Sequence, residues 1–149
     1  MVKKFQNILA QLPYSKPFLF VDELLYVDEN GVKGCYTFDK DLDFYKGHFK
    51  DKPITPGVIL TETMAQIGLA CLGVFLLKEK IGAVGIAMTT TEIEFLKPVF
   101  PAEKVTVTSE KIYFRFNKLK CKVKMENEKG EIVCKGTIAG MLIENGDGK

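Results

Sequence analysis

The stretch from Pro56 to Leu77 is apolar on almost every side, and it constrains the fold more than any other part of the chain. Four polar residues interrupt it: Thr61, Glu62, Thr63 and Gln66. Proline suits the first turn of a helix and Thr55 suits the N-cap, so the sequence predicts a helix over 56–77. A helix that is apolar all round must be buried on most faces. A flat sheet covers only one side of a helix, so we expect a strongly curved sheet wrapped around it.

Six runs of residues predict the strands of this sheet. Before the helix, residues 18–27 are rich in β-formers and residues 31–38 alternate. Between them, Glu29-Asn30-Gly31 predicts a hairpin, because Asn-Gly tolerates the positive φ of a tight turn. After the helix, strand patterns cover 81–99, 103–114, 118–127 and 131–142. Short connections favour antiparallel neighbours, so we predict an α+β fold with an antiparallel sheet of about six strands.

The run 118–127 shows the clearest alternation. Lysines occupy one face, and the other face carries Leu119, Cys121, Val123 and Met125. Between residues 111 and 135 there are eight Lys or Arg residues and three acids. A lysine row is typical of a solvated strand face that also discourages edge pairing. It would also suit docking of an acidic carrier protein or a phosphorylated cofactor.

Length and composition narrow the function classes. The 149 residues predict one domain over 1–149, with a polar, Gly-rich tail from about residue 144 that we expect to fray. A net charge of +2 gives no reason to expect a nucleic-acid partner. Four cysteines without a CxxC pair, together with a single histidine, argue against a metal site and favour free thiols in a reducing cytoplasm.

Membrane insertion and secretion are not expected either. The N-terminus lacks the continuous apolar core of a signal peptide, and a short amphipathic helix ending at Pro13 is predicted there instead. The long apolar helix could span a bilayer by length alone. Its Glu62 and Gln66 would then need partners inside the membrane, and no other segment resembles a span.

The only histidine, His48, lies in a loop that Asp, Gly and Pro residues predict over 39–55. A lone histidine is more often structural or solvated than catalytic. Here it stands between Gly47 and Phe49, just before a helix start. Catalytic groups concentrate in loops that are held on a rigid scaffold, which strengthens the case for His48 as a general base.

Glu62 is an acid in a segment that should be buried. With Thr55 as N-cap it lies in about the second turn, beyond the positions where an acid caps a helix. Its neighbours one turn away are three apolar residues and Gln66, which would desolvate the carboxyl group and favour its protonated form. A protonated carboxyl can act as a general acid. The residues equally allow a structural acid that is hydrogen-bonded to a neighbouring loop.

Gly57 falls early in the predicted helix, where backbone N–H groups have no intrahelical acceptor. Without a side chain to block approach, a carbonyl placed there would be polarised by the N–H and by the positive helix end. The alternative is a glycine needed only for close packing. A base, an acid and an oxyanion donor together fit removal of a proton α to a carbonyl with loss of a β-hydroxyl as water.

The stretch 47–66, GHFKDKPITPGVILTETMAQ, resembles the signature GHFPGxPxxPGVLxxEAMAQ of the (3R)-hydroxyacyl-[acyl-carrier-protein] dehydratases of type II fatty acid synthesis. The residues that fall on it without a gap are His48, Pro53, Pro56, Gly57, Val58, Glu62, Met64, Ala65 and Gln66. Softer matches cover nearly the whole chain. Residues 12–22, LPYSKPFLFVD, resemble the family opening LPHRxPFLLVD, and residues 95–101 resemble its KFRRPVxPGD segment.

The resemblance implies the hot-dog fold and a role for each site residue. His48 would take the α proton, Glu62 would protonate the departing hydroxyl, and the N–H of Gly57 would hold the thioester carbonyl. In the family, His and Glu meet across a homodimer interface, and the dimers often assemble further, as in a trimer of dimers. The acyl chain lies in an apolar tunnel, whose candidate residues here are Phe49, Ile54, Val58 and Gln66.

The resemblance also implies the partners. The substrate would be an acyl thioester on acyl carrier protein, whose phosphopantetheine arm belongs to the carrier, with no metal or redox cofactor. Lys50-Asp51 replaces the Pro-Gly of the signature and Tyr14-Ser15 replaces His-Arg, which indicates a divergent member. Two alternatives remain: a hot-dog thioesterase in which Glu62 activates water or attacks the carbonyl, and a non-catalytic acyl-binding module.

Overall fold

A six-stranded sheet wraps one long helix in the computed structural model, which describes residues 3–77 and 84–144. The helices are α1 (Lys3–Ala10) and α2 (Gly57–Leu77), and a 3₁₀ turn covers Asp43–Lys46. The strands are β1 (Glu23–Asp28), β2 (Gly31–Thr37), β3 (Val84–Phe95), β4 (Lys104–Arg115), β5 (Lys118–Glu126) and β6 (Ile132–Glu144). Parts of α2 contact all six strands, so the predicted wrapping is confirmed.

The strands follow the order β1-β2-β4-β5-β6-β3, and every neighbouring pair is antiparallel. The α+β class, the strand number and the antiparallel pairing are therefore as predicted. The edges of the sheet are β1 and β3. The twelve-residue strand β3 pairs with β6 on one side, and no described strand pairs with its other side.

The central helix fills the core. By length and composition it could cross a membrane, but 72% of its most apolar window is buried inside the protein. Such burial is what a core helix shows. Its segment Gln66–Cys71 is π-helical and entirely buried. The hydroxyl of Ser109 on β4 donates to the carbonyl oxygen of Gly68 there, at 2.9 Å.

The alternation predicted for 118–127 is confirmed in β5, whose apolar residues face the core. Its lysines lie on the opposite face, where Lys122 and Lys124 line a shallow cavity of about 930 Å³. Charged residues of both signs line that cavity: Lys122, Lys124, Lys135, Glu92, Glu94 and Glu110. This mixture of charges favours a solvated face over a dedicated anion-binding surface.

The start of the helix differs from the prediction. Pro56 is the N-cap and Gly57 is the first helical residue, so the prediction of Thr55 as N-cap was wrong. The Thr55 side chain instead shares a hydrogen bond with the hydroxyl of Tyr45, and its N–H donates to the carbonyl of Val99. Glu62 still lies in the second turn, beyond the capping positions.

The first strand also begins later than predicted, at Glu23 rather than at residue 18. The reason is tertiary, because the backbone of Phe18 and Phe20 bonds to the side chain of Gln66 instead of joining a strand ladder. The hairpin after it is in place, but neither Asn30 nor Gly31 is among the described residues with positive φ.

Two other features explain that hairpin. The carboxylate of Asp28 accepts the N–H groups of Asn30 and Gly31, at 2.8 and 3.0 Å. A side chain on Gly31 would collide with the carbonyl oxygen of Ser109, so glycine is required there for close approach of β4. The predicted fraying from about residue 144 concerns residues 145–149, which lie outside the described residues.

Candidate active site

His48 is half-buried and follows the 3₁₀ turn Asp43–Lys46 directly after Gly47. Its Nδ1 lies 2.8 Å from the carbonyl oxygen of Ile54. A carbonyl oxygen can only accept, so Nδ1 must carry the hydrogen. In the neutral imidazole Nε2 is then unprotonated, which is the state a general base requires.

The backbone around His48 forms a closed loop. The N–H of Ile54 donates to the carbonyl of His48 at 2.8 Å, and Phe49 and Lys52 exchange two backbone hydrogen bonds inside it. The rings of His48 and Phe49 stack with centroids 4.1 Å apart, and the peptide bond between them is cis. Lys50-Asp51, where the chain departs from the family signature, is the tip of this loop. The departure therefore leaves the anchoring of the His48 ring intact.

Glu62 is half-buried, and its Oε2 accepts a hydrogen bond of 3.0 Å from Nε2 of Gln66, one turn further along the helix. Gln66 is fully buried, and its amide is held at both ends. Its Oε1 accepts from the N–H of Phe20 at 2.8 Å, and its Nε2 also donates to the carbonyl of Phe18 at 3.0 Å. These bonds fix the orientation of the amide, so Gln66 must present a hydrogen to Glu62.

This arrangement bears on the two interpretations of Glu62. A structural acid would itself tie the helix to a neighbouring loop, but Gln66 makes that connection to residues 18–20. Glu62 bonds through Oε2 to its own helix, and Oε1 is left as the oxygen that can carry a transferred proton. The geometry thus suits a positioned general acid.

The N–H of Gly57 stands at the first position of a 21-residue helix. The first N–H groups that bond within the helix are those of Ile59 and Leu60, both to the carbonyl of Pro56. The Gly57 N–H therefore has no intrahelical acceptor, as predicted. The packing interpretation is also supported, because a Cβ at Gly57 would come within 3.3 Å of the Phe95 ring.

The predicted tunnel residues differ in exposure. Val58 is 76% and Phe49 55% exposed, whereas Ile54 is half-buried. Gln66 has no exposed surface. In this single chain its side chain holds Glu62 and the segment 18–20 by hydrogen bonds and does not line an open cavity. Apolar side chains exposed near the helix start give the site an uncovered, apolar rim in a single chain.

Sequence reasoning gave no role to Tyr14, which lies near Glu62. Burial raises the pKa of Tyr14 to about 12, with a smaller contribution from the nearby Glu62. The phenol therefore stays protonated at neutral pH and adds a neutral hydroxyl to the surroundings of the acid. The sequence did offer one indication of a role for Tyr14, namely its position in the opening motif 12–22, where the family pattern has histidine.

The cysteines do not supply a nucleophile. All four are buried and unpaired. Burial raises the pKa of each thiol, to about 11 for Cys121 and about 12 for Cys134. A thiol with a raised pKa has little thiolate at neutral pH, which disfavours covalent acyl transfer through cysteine. Among the described residues, no cluster of His, Cys, Asp and Glu could hold a metal ion.

No described hydrogen bond or ion pair joins His48 to Glu62 within the chain. His48 is held by its own loop through Ile54, and Glu62 is held by Gln66. In one chain His48 and Glu62 are thus two separately anchored groups.

Comparisons with known proteins place nearly the whole chain among related sequences. Residues 12–139 match the FabA-like domain. The chain is 35% identical over 147 residues to the 3-hydroxyacyl-[acyl-carrier-protein] dehydratase FabZ of Sinorhizobium fredii, covering 95% of this chain and 91% of that protein. It is 32% identical over 134 residues to the FabZ of Caldicellulosiruptor bescii, covering 89% of this chain and 93% of the other.

Solved structures show the same fold. The dehydratase heterocomplex ApeI:P from Xenorhabdus doucetiae matches with a TM-score of 0.78 at 14% identity, covering 93% of this chain and 91% of that chain. A hypothetical thioesterase with coenzyme A from Streptococcus pneumoniae matches with a TM-score of 0.61 at 13% identity, covering 97% and 98%. At such identities the likeness concerns the fold alone.

Proposed function

Because this chain belongs to the FabA-like domain family, we propose that it uses His48 and Glu62 to remove water from a 3-hydroxyacyl thioester. The chain is a hot-dog-fold 3-hydroxyacyl-[acyl-carrier-protein] dehydratase, a lyase. The observation that carries the residue assignment is the bond from His48 to the Ile54 carbonyl, because it leaves Nε2 as the basic atom.

The elimination needs two proton transfers and no electron acceptor. Nε2 of His48 takes a proton from C2 of the acyl chain, and the C2–H electrons form the C2–C3 double bond. The C3–O bond breaks, and the hydroxyl leaves as water with the proton of Glu62 Oε1. The thioester carbonyl accepts the Gly57 N–H, which stabilises negative charge on its oxygen as C2 loses the proton.

This chemistry requires no metal or redox group, since the protons only move between substrate and side chains. The phosphopantetheine arm arrives with the acyl carrier protein. Gln66 is a positioning residue, because its buried amide fixes Oε2 of Glu62 while its other contacts hold residues 18–20. Its role in this proposal is to keep Oε1 turned to the substrate.

We further propose that the base and the acid of one site come from two copies of the chain. The outer edge of β3 has no partner among the described strands, and a twelve-residue unpaired edge invites pairing with an identical strand. Met88 and Phe95 on β3, Leu96 directly after it and Val58 at the helix start are exposed apolar residues. A homodimer through β3 would cover them.

The proposed activity predicts water addition in the reverse direction. Wild-type protein should hydrate a trans-2-enoyl thioester, with faster turnover on the carrier-bound substrate than on the coenzyme A thioester. Absorbance loss of the conjugated enoyl thioester measures hydration, and a thiol reagent measures hydrolysis in the same preparation. Thiol release without hydration would instead establish the thioesterase alternative, and tight acyl binding with neither reaction would establish a binding module.

The two-chain site predicts complementation between inactive variants. In a mixed dimer of His48→Ala and Glu62→Gln chains, one site receives the intact His48 and the intact Glu62. Random association of equal amounts makes half of the dimers mixed, each with one intact site of two, so co-expression should restore about a quarter of wild-type activity. Sites contained within one chain would show no recovery, and each variant expressed alone is the matched control.

A further inference from the structure

The loop that carries His48 is closed at its base by a second, fully buried contact between side chains. The hydroxyls of Tyr45 and Thr55 share a hydrogen bond. Tyr45 is 6% and Thr55 is 3% exposed, so water does not compete for it. Tyr45 precedes His48 by three residues, and Thr55 precedes Gly57 by two.

The contacts on both sides make this bond a link between two parts of the site. On one side, the carbonyl of Phe44, next to Tyr45, accepts the N–H of His48 at 3.0 Å. On the other side, Thr55 follows Ile54, whose carbonyl holds the imidazole. The chain then turns through Pro56 into the first helical residue.

We propose that the Tyr45–Thr55 hydrogen bond is a positioning element of the dehydration reaction, fixing the imidazole of His48 relative to the oxyanion donor Gly57. The inference rests on the proposed function of His48 and Gly57. It adds two residues that touch no reacting atom and act through the loop geometry. Neither residue belongs to the motif on which the resemblance depends, since the signature leaves position 55 unspecified and begins after position 45.

Two observations indicate that the Tyr45–Thr55 hydrogen bond holds the loop in one position. Burial raises the pKa of Tyr45, so the phenol stays protonated at neutral pH and can donate to Oγ1 of Thr55. The backbone of Thr55 is fixed independently, because its N–H donates to the carbonyl of Val99 at 2.9 Å. Tyr45 therefore ties the loop to a residue that is already anchored. A loss of this tie would let the 3₁₀ turn and His48 shift together.

The test uses Tyr45→Phe, Thr55→Val and the double variant, which remove one or both hydroxyls with little change in volume. Each single variant leaves one buried hydroxyl without its partner, which lowers the melting temperature. The double variant leaves none, so its melting temperature should return towards the wild-type value. The kcat for enoyl-thioester hydration should fall about tenfold in the singles and stay equally low in the double, with KM changed less than about twofold.

This pattern separates positioning from stability. If the bond served stability alone, kcat would recover together with the melting temperature in the double variant, and that result would overturn the inference. Full kcat in both singles, or losses that multiply in the double, would overturn it as well. Thr55→Ser retains the hydroxyl and should retain kcat.

Ser109→Ala is the matched control, because it removes another buried hydroxyl. This hydroxyl, on β4, bonds to the carbonyl of Gly68 on the central helix. The variant should lower the melting temperature and leave kcat near that of the wild type. The wild-type protein is assayed first. Absence of hydration there would refute the proposed function, whereas an active wild type with active Tyr45 and Thr55 variants would refute only this inference.

Discussion

Replacing His48 with alanine is expected to lower kcat for hydration of a trans-2-enoyl thioester by about 10²–10⁴-fold, the usual contribution of a general base. The Nδ1–H bond to Ile54 makes Nε2 the only basic atom of the ring, so no other atom of this side chain can replace it. The measurement is the initial rate at saturating substrate, with KM determined separately.

A matched variant separates the base from the loop it helps to close. The amide nitrogen of asparagine in His48→Asn can donate to Ile54 as Nδ1 does, while the variant has no group at the position of Nε2. His48→Asn should therefore keep the melting temperature of the wild type and lose as much activity as His48→Ala. Wild-type turnover in a folded His48→Asn protein would rule out His48 as the base.

The fold could be predicted well wherever the residue pattern of one segment determines its structure without a contact from elsewhere in the chain. The alternation of 118–127 places its apolar residues on the core face whatever their partners are, and the all-apolar helix requires a sheet around it. The predicted ends of strands and helices were wrong where a contact with a residue distant in sequence determines them. β1 does not begin at residue 18, because Gln66, 46 positions after Phe20, takes that backbone N–H.

The same distinction holds for the site, where the residues could be selected from the sequence but their contacts could not. His48 and Glu62 could be selected because one is the only histidine and the other has no local explanation as a cap. The contacts that orient them are tertiary or cross a loop: Ile54 to the imidazole, Gln66 to Phe18, and Tyr45 to Thr55. Thr55 shows the limit most clearly. Threonine suits an N-cap and a proline follows it, yet a buried tyrosine ten residues earlier engages its hydroxyl instead.

Replacing Glu62 with glutamine is expected to lower kcat by about 10²–10⁴-fold at nearly unchanged stability. The new amide oxygen can accept the hydrogen bond from Gln66 as Oε2 does, so the contact of the carboxyl with its helix is kept. What is lost is the proton for the departing hydroxyl. The measurements are the hydration rate, KM and the melting temperature on the same preparation.

The same substitution decides between the two interpretations of Glu62. A structural acid that acts only through Gln66 would be replaced successfully by glutamine, and the variant would remain active. A general acid would not be replaced. Glu62→Asp is the matched control: it keeps a carboxyl group on a shorter side chain and should retain more activity than Glu62→Gln. A Glu62→Gln protein that is as active as wild type would leave His48 without its acid and would contradict the proposed reaction.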